Sequence, residues 1–354
     1  MKKNSFNVLG VMSGTSLDGI DLCYSKFEYE DRWKFNIIKS TTINYPTYWR
    51  RRLSSAITEN KESIVKLNKD YTAYLGEIIK KFIEDHQIKN LDAVCSHGHT
   101  IFHEPDRGYT LQIGNLPELA NIVNNKVVCD FRVQDVKLGG QGAPLVPIGD
   151  KLIFYEYDFC INLGGFANVS FDHGNKRIAF DICPVNIVLN YYVKKMNIMF
   201  DNKGEIAKTG KVNKRLLEEL NSLEYYATKP PKSLGLEWVM KYVFPLIRKY
   251  KLPISDILRT FIEHVAIQIN VATKYKDKAS ILFTGGGVFN TFLMERISTH
   301  TIHKVVVPNN KIIEFKEALV FALLGVLKIR DEVNCLSSVT GASQDHSSGN
   351  IFLP

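Results

Sequence analysis

The sequence predicts an α/β fold assembled from two similar halves. Strand-like runs alternate with helix-like runs along all 354 residues, as in layered α/β folds. A Gly- and Pro-rich stretch, "DVKLGGQGAPLVP" (135–147), reads as a loop or hinge. After it the same order starts again: three strands, then helices and further strands. With 45% hydrophobic residues, a chain of this length buries a sizeable core and favours two domains over one.

The elements follow in order. "FNVLGVM" (6–12), "IDLCYSKFEY" (20–29) and "WKFNIIKSTTI" (33–43) are consecutive strand candidates. A helix covers 61–86, because Ile64, Leu67, Tyr71, Tyr74, Leu75 and Ile78 recur at helical spacing. A strand at 91–97, a short one at 111–114, a helix at 116–125 and a strand at 126–131 complete the first half. The second half has strands at 157–165, 166–172 and 176–183, then a helix at 184–196 and a helical hairpin over about 205–275. The strand "ASILFTGGGVF" leads into a helix from Asn290, and "HKVVVPN" leads into the apolar helix "EFKEALVFALLGVL". No short-period repeat or low-complexity segment interrupts this order.

Composition narrows the function. The net charge of +8 is diffuse lysine, and the clusters "WRRR" and "KPPK" are too short for nucleic-acid arms. An anionic ligand would still be attracted. The six cysteines are scattered and no two form a C-x-x-C, which points to a reducing compartment without a disulfide framework. The apolar run near the start is too short for a signal-peptide core. "ALVFALLGVL" is far short of a membrane span. A cytoplasmic protein with small-molecule partners is expected.

Three glycine turns follow apolar strands: "VMSGTSLDG" with Gly14 and Gly19, "INLGGFAN" with Gly164 and Gly165, and "LFTGGGVFN" with Gly285, Gly286 and Gly287. Glycine lets a backbone approach a ligand closely, and successive backbone N–H groups make an anion nest. The first turn has the G-x-x-x-x-G spacing of a P-loop, but Ile20-Asp21 stands where Lys-Ser/Thr is required. It also lacks the second glycine of a nucleophile elbow. Without a P-loop lysine, Gly14, Thr15 and Ser16 would grip phosphates by amides and hydroxyls. Asp18 and Asp21 would then hold Mg²⁺ or its waters. An Asp-Gly hairpin turn capped by Asp18 is the plain alternative.

Asp181, read at the end of the strand "KRIAFDIC", is placed to act as a general base. The alternative is a strand-end Asp bonding the next turn. Glu317, read at the start of the apolar helix, is either a dipole-favoured residue or a second carboxylate of the site. Arg132 could grip a substrate carboxylate by a bidentate contact or pair with Asp130 or Asp135. "SHGHTIFH" puts His97 and His99 on one strand face, where they could bind zinc. No third ligand follows at a diagnostic spacing, so a hydrogen-bonding role is favoured.

Taken in order, "GVMSGTSLDGID", "SHGHTIFHEP", "LQIGN", "VVCDFRVQDVKLGGQGAPLVP", "INLGGFANVSF", "PPKSLGLEW", "LFTGGGVFN" and "VTGAS" resemble the landmarks of the anhydro-N-acetylmuramic acid kinases. This is a family of the sugar kinase/Hsp70/actin superfamily, and the resemblance runs nearly end to end. It implies two RNase H-like domains, 1–135 plus about 325–354 and 136–324, with nucleotide in the cleft between them. It implies that ATP and water open the 1,6-anhydro ring and that O6 is phosphorylated, giving N-acetylmuramic acid 6-phosphate in peptidoglycan recycling. Gly14 to Asp21 would contact ATP phosphates, with Mg²⁺. Gly164 and Gly165 would form a second phosphate loop, and Gly285, Gly286, Gly287 and Asn290 would serve the nucleotide. Asp181 would deprotonate the water and Glu317 would assist. His99, Arg132 and Asn186 would lie on the sugar side, and a homodimer is suggested.

The chain departs from the family pattern at three places. F-D-T-G-P-G-N is "FDICPVN", H-G-Q-T is "HGHT", and S-T-G-R-E is "SLGLE". These changes point at the sugar side. They keep two other readings in play: a related sugar kinase with a changed acceptor, and a non-catalytic actin-like module that binds nucleotide.

Overall fold

The structure is a computed structural model that describes residues 3–14 and 16–354. The chain divides into two compact units, Met1–Ile153 with Phe315–Pro354, and Phe154–Glu314. In chain order the strands are β1 (Ser5–Ser13), β2 (Gly19–Tyr29), β3 (Trp33–Asn44), β4 (Ala93–Glu104), β5 (Tyr109–Ile113) and β6 (Val127–Cys129). The second unit holds β7 (Phe159–Leu163), β8 (Phe166–His173), β9 (Lys176–Pro184), β10 (Ser280–Thr284) and β11 (Lys304–Val306). The last strand, β12 (Asn350–Phe352), belongs to the first unit.

The first sheet has the order β12-β6-β4-β1-β2-β3, with β5 also on β4. β1–β2 and β2–β3 are antiparallel, while β1–β4 and β4–β6 are parallel. The second sheet reads β11-β10-β7-β8-β9. There β7–β8 and β8–β9 are antiparallel, and β7–β10 and β10–β11 parallel. Three antiparallel strands followed by two parallel ones, in the spatial order 3-2-1-4-5, is the RNase H-like arrangement, and it occurs once in each unit. The repeat of element order expected from the sequence is thus a repeat of topology.

Local chemistry explains the elements. Central β1 is buried almost continuously, whereas edge strand β3 alternates and exposes its lysines, as strand position requires. In the helix Lys61–Asp85, Asn60 caps the first turn by accepting from Ser63 N–H at 2.9 Å. Ile64, Leu67, Tyr71, Leu75, Ile79 and Phe82 form its buried stripe. Each such side chain contributes roughly 1.5–3 kcal/mol relative to exposure. The helix Asn310–Ile329 lies directly on β1: a Cβ on Gly10 would stand 2.0 Å from the Ala318 carbonyl oxygen. A Cβ on Gly325 would likewise stand 2.1 Å from the Cys95 sulfur of β4.

Several boundaries differ from the sequence reading. β4 continues through "HGHTIFHE" to Glu104, because β5 pairs with that extension. The helix read from 314 begins at Asn310, so Glu317 lies in its third turn and not at its N-terminus. The dipole reading of Glu317 therefore fails. Asp181 is inside β9, since pairing with β8 continues to Pro184 past a bulge. The stretch 135–147 begins within the helix Val133–Lys137 and ends within Val146–Ile153. The hairpin read over 205–275 is a series of short helices and the long helix Ile254–Ala272. Pro230, Pro231 and Pro253 divide that region, as proline's missing N–H dictates.

Candidate active-site residues

In the first unit, β1 and β4 run parallel side by side. Ligands of open α/β sheets gather beyond such carboxyl ends. The residue that closes β1, Ser13, is a buried hub. Its hydroxyl lies 2.6 Å from the Tyr45 hydroxyl and 2.8 Å from His99 Nδ1, and it accepts from Tyr71 O–H at 3.0 Å. Tyr45 and Tyr71 also bond each other. Burial lowers His99 to about 4, so the ring is neutral near pH 7. Gly14 follows this hub directly.

The turn after Gly14 closes with Leu17 N–H on the Gly14 carbonyl at 3.3 Å. Leu17 takes the left-handed conformation, φ 61°. Ser16 and Asp18 are exposed, and Asp18 offers its carbonyl to Tyr45 N–H at 3.4 Å. Asp18 thus bonds Tyr45 through its backbone, and its side chain is exposed. Gly19 belongs to β2, where a Cβ would stand 2.5 Å from the Ile43 carbonyl oxygen. Close packing on β3 by itself requires glycine at this position. Asp21 accepts from the Thr42 hydroxyl at 2.6 Å. Thr15 lies outside the described residues.

Arg132 is half-buried and committed on two sides. Its Nε–H donates to His97 Nε2 at 2.8 Å and its Nη1–H to the Gly142 carbonyl at 2.7 Å. The pair with Asp130 or Asp135 weighed from sequence does not form. His97 Nδ1–H donates to the Gly98 carbonyl at 2.9 Å. Burial first, and the Arg132 charge second, hold His97 well below its ordinary range. Both ring nitrogens are thus engaged, and the shared zinc site weighed for His97 and His99 is replaced by two separate networks. Glu317 is solvent-accessible but crowded by protein, which pushes its carboxyl up. Arg132 opposes that push, and Asp21 adds to it. Asp21, Arg132 and Glu317 therefore share one electrostatic neighbourhood. Lys316, next to Glu317, makes a buried ion pair with Asp150 at 2.7 Å.

The second unit repeats the pattern. β7 and β10 are parallel neighbours, and their two glycine turns meet. The Gly165 carbonyl accepts from Val185 N–H at 2.8 Å and Ile187 N–H at 3.2 Å, and Gly164 from Asn186 N–H at 3.3 Å. This ties the turn to the start of the helix Asn186–Lys194. Gly285 has φ 84°, and a Cβ there would stand 2.6 Å from the Asn162 carboxamide oxygen. Gly287 packs on Leu163, and the Asn186 carboxamide reaches the same place. Gly286 faces open space. Asn290 caps the helix Thr291–His300 by accepting from Leu293 N–H at 3.0 Å.

Asp181 is half-buried. Its carboxylate accepts the Leu234 N–H at 2.8 Å. Its backbone N–H donates to the Lys232 carbonyl at 3.2 Å, and its carbonyl accepts the Tyr225 O–H at 2.5 Å. Lys232 lies over the Tyr225 ring at 4.5 Å. The strap 225–234 thus fixes both backbone and carboxylate of Asp181. Burial pushes this carboxyl up and the Leu234 N–H holds it back. An elevated carboxylate suits a general base working near neutral pH. Sequence reasoning missed Ser13, Tyr45, Tyr71, Tyr225 and Lys232. The sequence showed Tyr71 only as part of the helical stripe of 61–86 and Lys232 only as part of the cluster "KPPK".

The whole chain also resembles known proteins. The family described as Anhydro-N-acetylmuramic acid kinase matches residues 6–354. The anhydro-N-acetylmuramic acid kinase of Saccharophagus degradans is 32% identical, covering 100% of this chain and of that protein. The enzyme of the same description from Sulfurimonas denitrificans is 31% identical over 97% of this chain and 98% of its own. The one from Francisella tularensis subsp. novicida is 33% identical over 97% of both.

Proposed function

The chain belongs to the anhydro-N-acetylmuramic acid kinase family, and on that premise we propose that it is an ATP-dependent kinase of 1,6-anhydro-N-acetylmuramic acid. The observation that carries this is Asp181: a half-buried carboxylate, oriented by a backbone N–H and raised by burial, on the strand that leads into Val185, whose N–H bonds the Gly165 carbonyl of a glycine turn suited to phosphate. The reaction balances as two coupled transfers. Water adds to C1 and gives its proton to the Asp181 carboxylate, while the C1–O6 bond breaks. O6 then forms a bond to the γ-phosphorus of ATP, the bridging P–O bond breaks, and ADP departs. Such transfer needs alignment and charge neutralisation above all.

The roles divide by unit. From the first, Gly14, Thr15, Ser16, Asp18, Gly19 and Asp21 serve the phosphates, Glu317 assists the base, and His99 and Arg132 face the sugar. From the second, Gly164, Gly165, Gly285, Gly286, Gly287 and Asn290 serve the nucleotide, Asp181 is the base, and Asn186 meets the sugar. His99 has Nδ1 committed to Ser13, so its contact would be through Nε2. The carboxylates fit Mg²⁺: Asp18 is exposed, and Asp21 lies near enough to Glu317 to push its carboxyl up, a repulsion that a hard dication relieves. Asp18 and Asp21 would hold the ion, which supplies charge neutralisation at the phosphates. Six free cysteines suit work in the cytoplasm. Among the described residues, no helix is long and apolar enough to cross a membrane.

An ADP-release assay with the anhydro sugar and its reducing counterpart tests the reading. Turnover of the anhydro sugar is expected. Turnover of the reducing sugar alone would replace the proposal with a kinase lacking the ring-opening half. Nucleotide binding without turnover on either would leave a non-catalytic module.

A further inference from the structure

Asp135, Cys335 and His346 meet in the interior of the first unit, away from Asp21 and the glycine turns in sequence. Asp135 comes from the helix Val133–Lys137, and the other two from the C-terminal segment. That segment folds on itself through an antiparallel bridge between Cys335 and His346. Their exposures are 0%, 1% and 6%. One ligand atom of each lies within 4.8 Å of the others.

The imidazole gives the cluster its meaning. His346 Nδ1 faces the Gln344 carbonyl at 3.1 Å. A carbonyl only accepts, so Nδ1 carries a proton, and in the neutral ring Nε2 bears the lone pair. Nε2 is buried without a hydrogen-bond partner and stands 3.6 Å from a carboxylate oxygen of Asp135. Two lone-pair atoms facing each other in a buried interior repel unless a positive centre sits with them. That oxygen also accepts from the Thr340 hydroxyl at 2.7 Å and from the Cys335 thiol at 3.0 Å. The second Asp135 oxygen is held by Gly142 N–H at 2.7 Å.

We infer that Asp135, Cys335 and His346 form a binding site for a zinc-class divalent ion, which staples the C-terminal segment to the helix Val133–Lys137. The donor set argues for this class, because thiolate and imidazole select zinc over magnesium. A thiolate and a carboxylate neutralise a dication, so the buried site carries no net charge. A backbone carbonyl on the distal ring nitrogen is the usual outer support of a metal-bound histidine. The spacing is close: tetrahedral zinc with its ordinary bond lengths sets sulfur and oxygen roughly 3.5 Å apart and nitrogen and oxygen roughly 3.3 Å apart. The observed sulfur–oxygen and nitrogen–oxygen separations are 3.0 and 3.6 Å, each within about half an ångström of those values, and the sulfur lies within 4.8 Å of the nitrogen. The Thr340 hydroxyl or a water supplies the fourth position. On binding, Cys335 loses its thiol proton to solvent and an S–Zn bond forms, with no change of oxidation state.

The test uses the full chain. Protein stripped with a chelator is titrated with Co²⁺ and then Zn²⁺, and the same is done with Cys335→Ser and His346→Gln. Saturation at one equivalent is expected, with a thiolate-to-cobalt charge-transfer band. That band should vanish in Cys335→Ser, and zinc should raise the melting temperature of the parent only. Circular dichroism verifies that each variant is folded, and His346→Gln serves if Cys335→Ser is not. The inference is overturned if no such band forms, or if it persists in Cys335→Ser. A zinc response of equal size in the parent and a folded variant would overturn it too. The cluster would then be an imidazolium–carboxylate pair.

Discussion

At Asp181, two opposing influences set the chemistry: burial lifts the carboxyl and the Leu234 N–H restrains it. As a base it must be ionised, so activity is lost as pH falls through its pKa. The acid limb of kcat/KM should therefore lie above the ordinary aspartate value of about 3.9. Asp181→Asn should cut kcat by about 10²–10⁴ and leave ATP binding near normal by calorimetry. Near-normal turnover would remove Asp181 from the mechanism. Arg132 acts on Glu317 in the opposite sense: the cation favours the carboxylate. Arg132→Met should raise the Glu317 carboxyl further, read by NMR titration, and an unmoved or lowered value would contradict the shared neighbourhood. Asp181 and Arg132 were visible in the sequence because each sits in a recognisable motif. Ser13, Tyr45, Tyr71 and His99 were not legible as one network. Their partners are 26 to 86 residues apart, and only the fold brings them together.

Single elements show where sequence patterns hold and where they fail. The helix Lys61–Asp85 was legible nearly to its ends because one apolar stripe and one cap, Asn60, define it. The start of the helix Asn310–Ile329 was not, since "NKIIE" carries no apolar run long enough to extend it. That shift of a full turn moved Glu317 from a helix terminus to a helix interior. The contact of this helix with β1 rests on Gly10, so Gly10→Val should destabilise the protein by about 1–3 kcal/mol in chemical denaturation. A neutral effect would mean that the helix does not press on β1. The buried Lys316–Asp150 pair lies in the same helix packing. Removing one partner, as in Asp150→Ala, should cost about 3–5 kcal/mol because a buried charge is stranded.

For the molecule as a whole, the repeated 3-2-1-4-5 sheet explains why two halves without obvious sequence similarity gave the same order of strands. Topology is set by strand patterning and connections, which survive when side chains diverge. Stability should also carry a common pH signature. His97, His99 and His264 are all lowered by burial, His99 to about 4 and His264 to about 3. The unfolded chain takes up these protons near pH 6.5 while the folded one does not, so stability is present above that pH and lost below it. Each pH unit in that window costs about 1.4 kcal/mol per such histidine. The melting temperature should fall between pH 6.5 and 4, and His99→Gln should flatten part of the fall. A flat profile would contradict neutral burial.

The central claim is that the chain couples ring opening to phosphorylation. Mass spectrometry of the product from ATP and 1,6-anhydro-N-acetylmuramic acid tests it most directly. The account predicts a sugar that has gained both a phosphate and a water. A sugar that gains phosphate alone, or an unchanged anhydro sugar beside intact ATP, would contradict it.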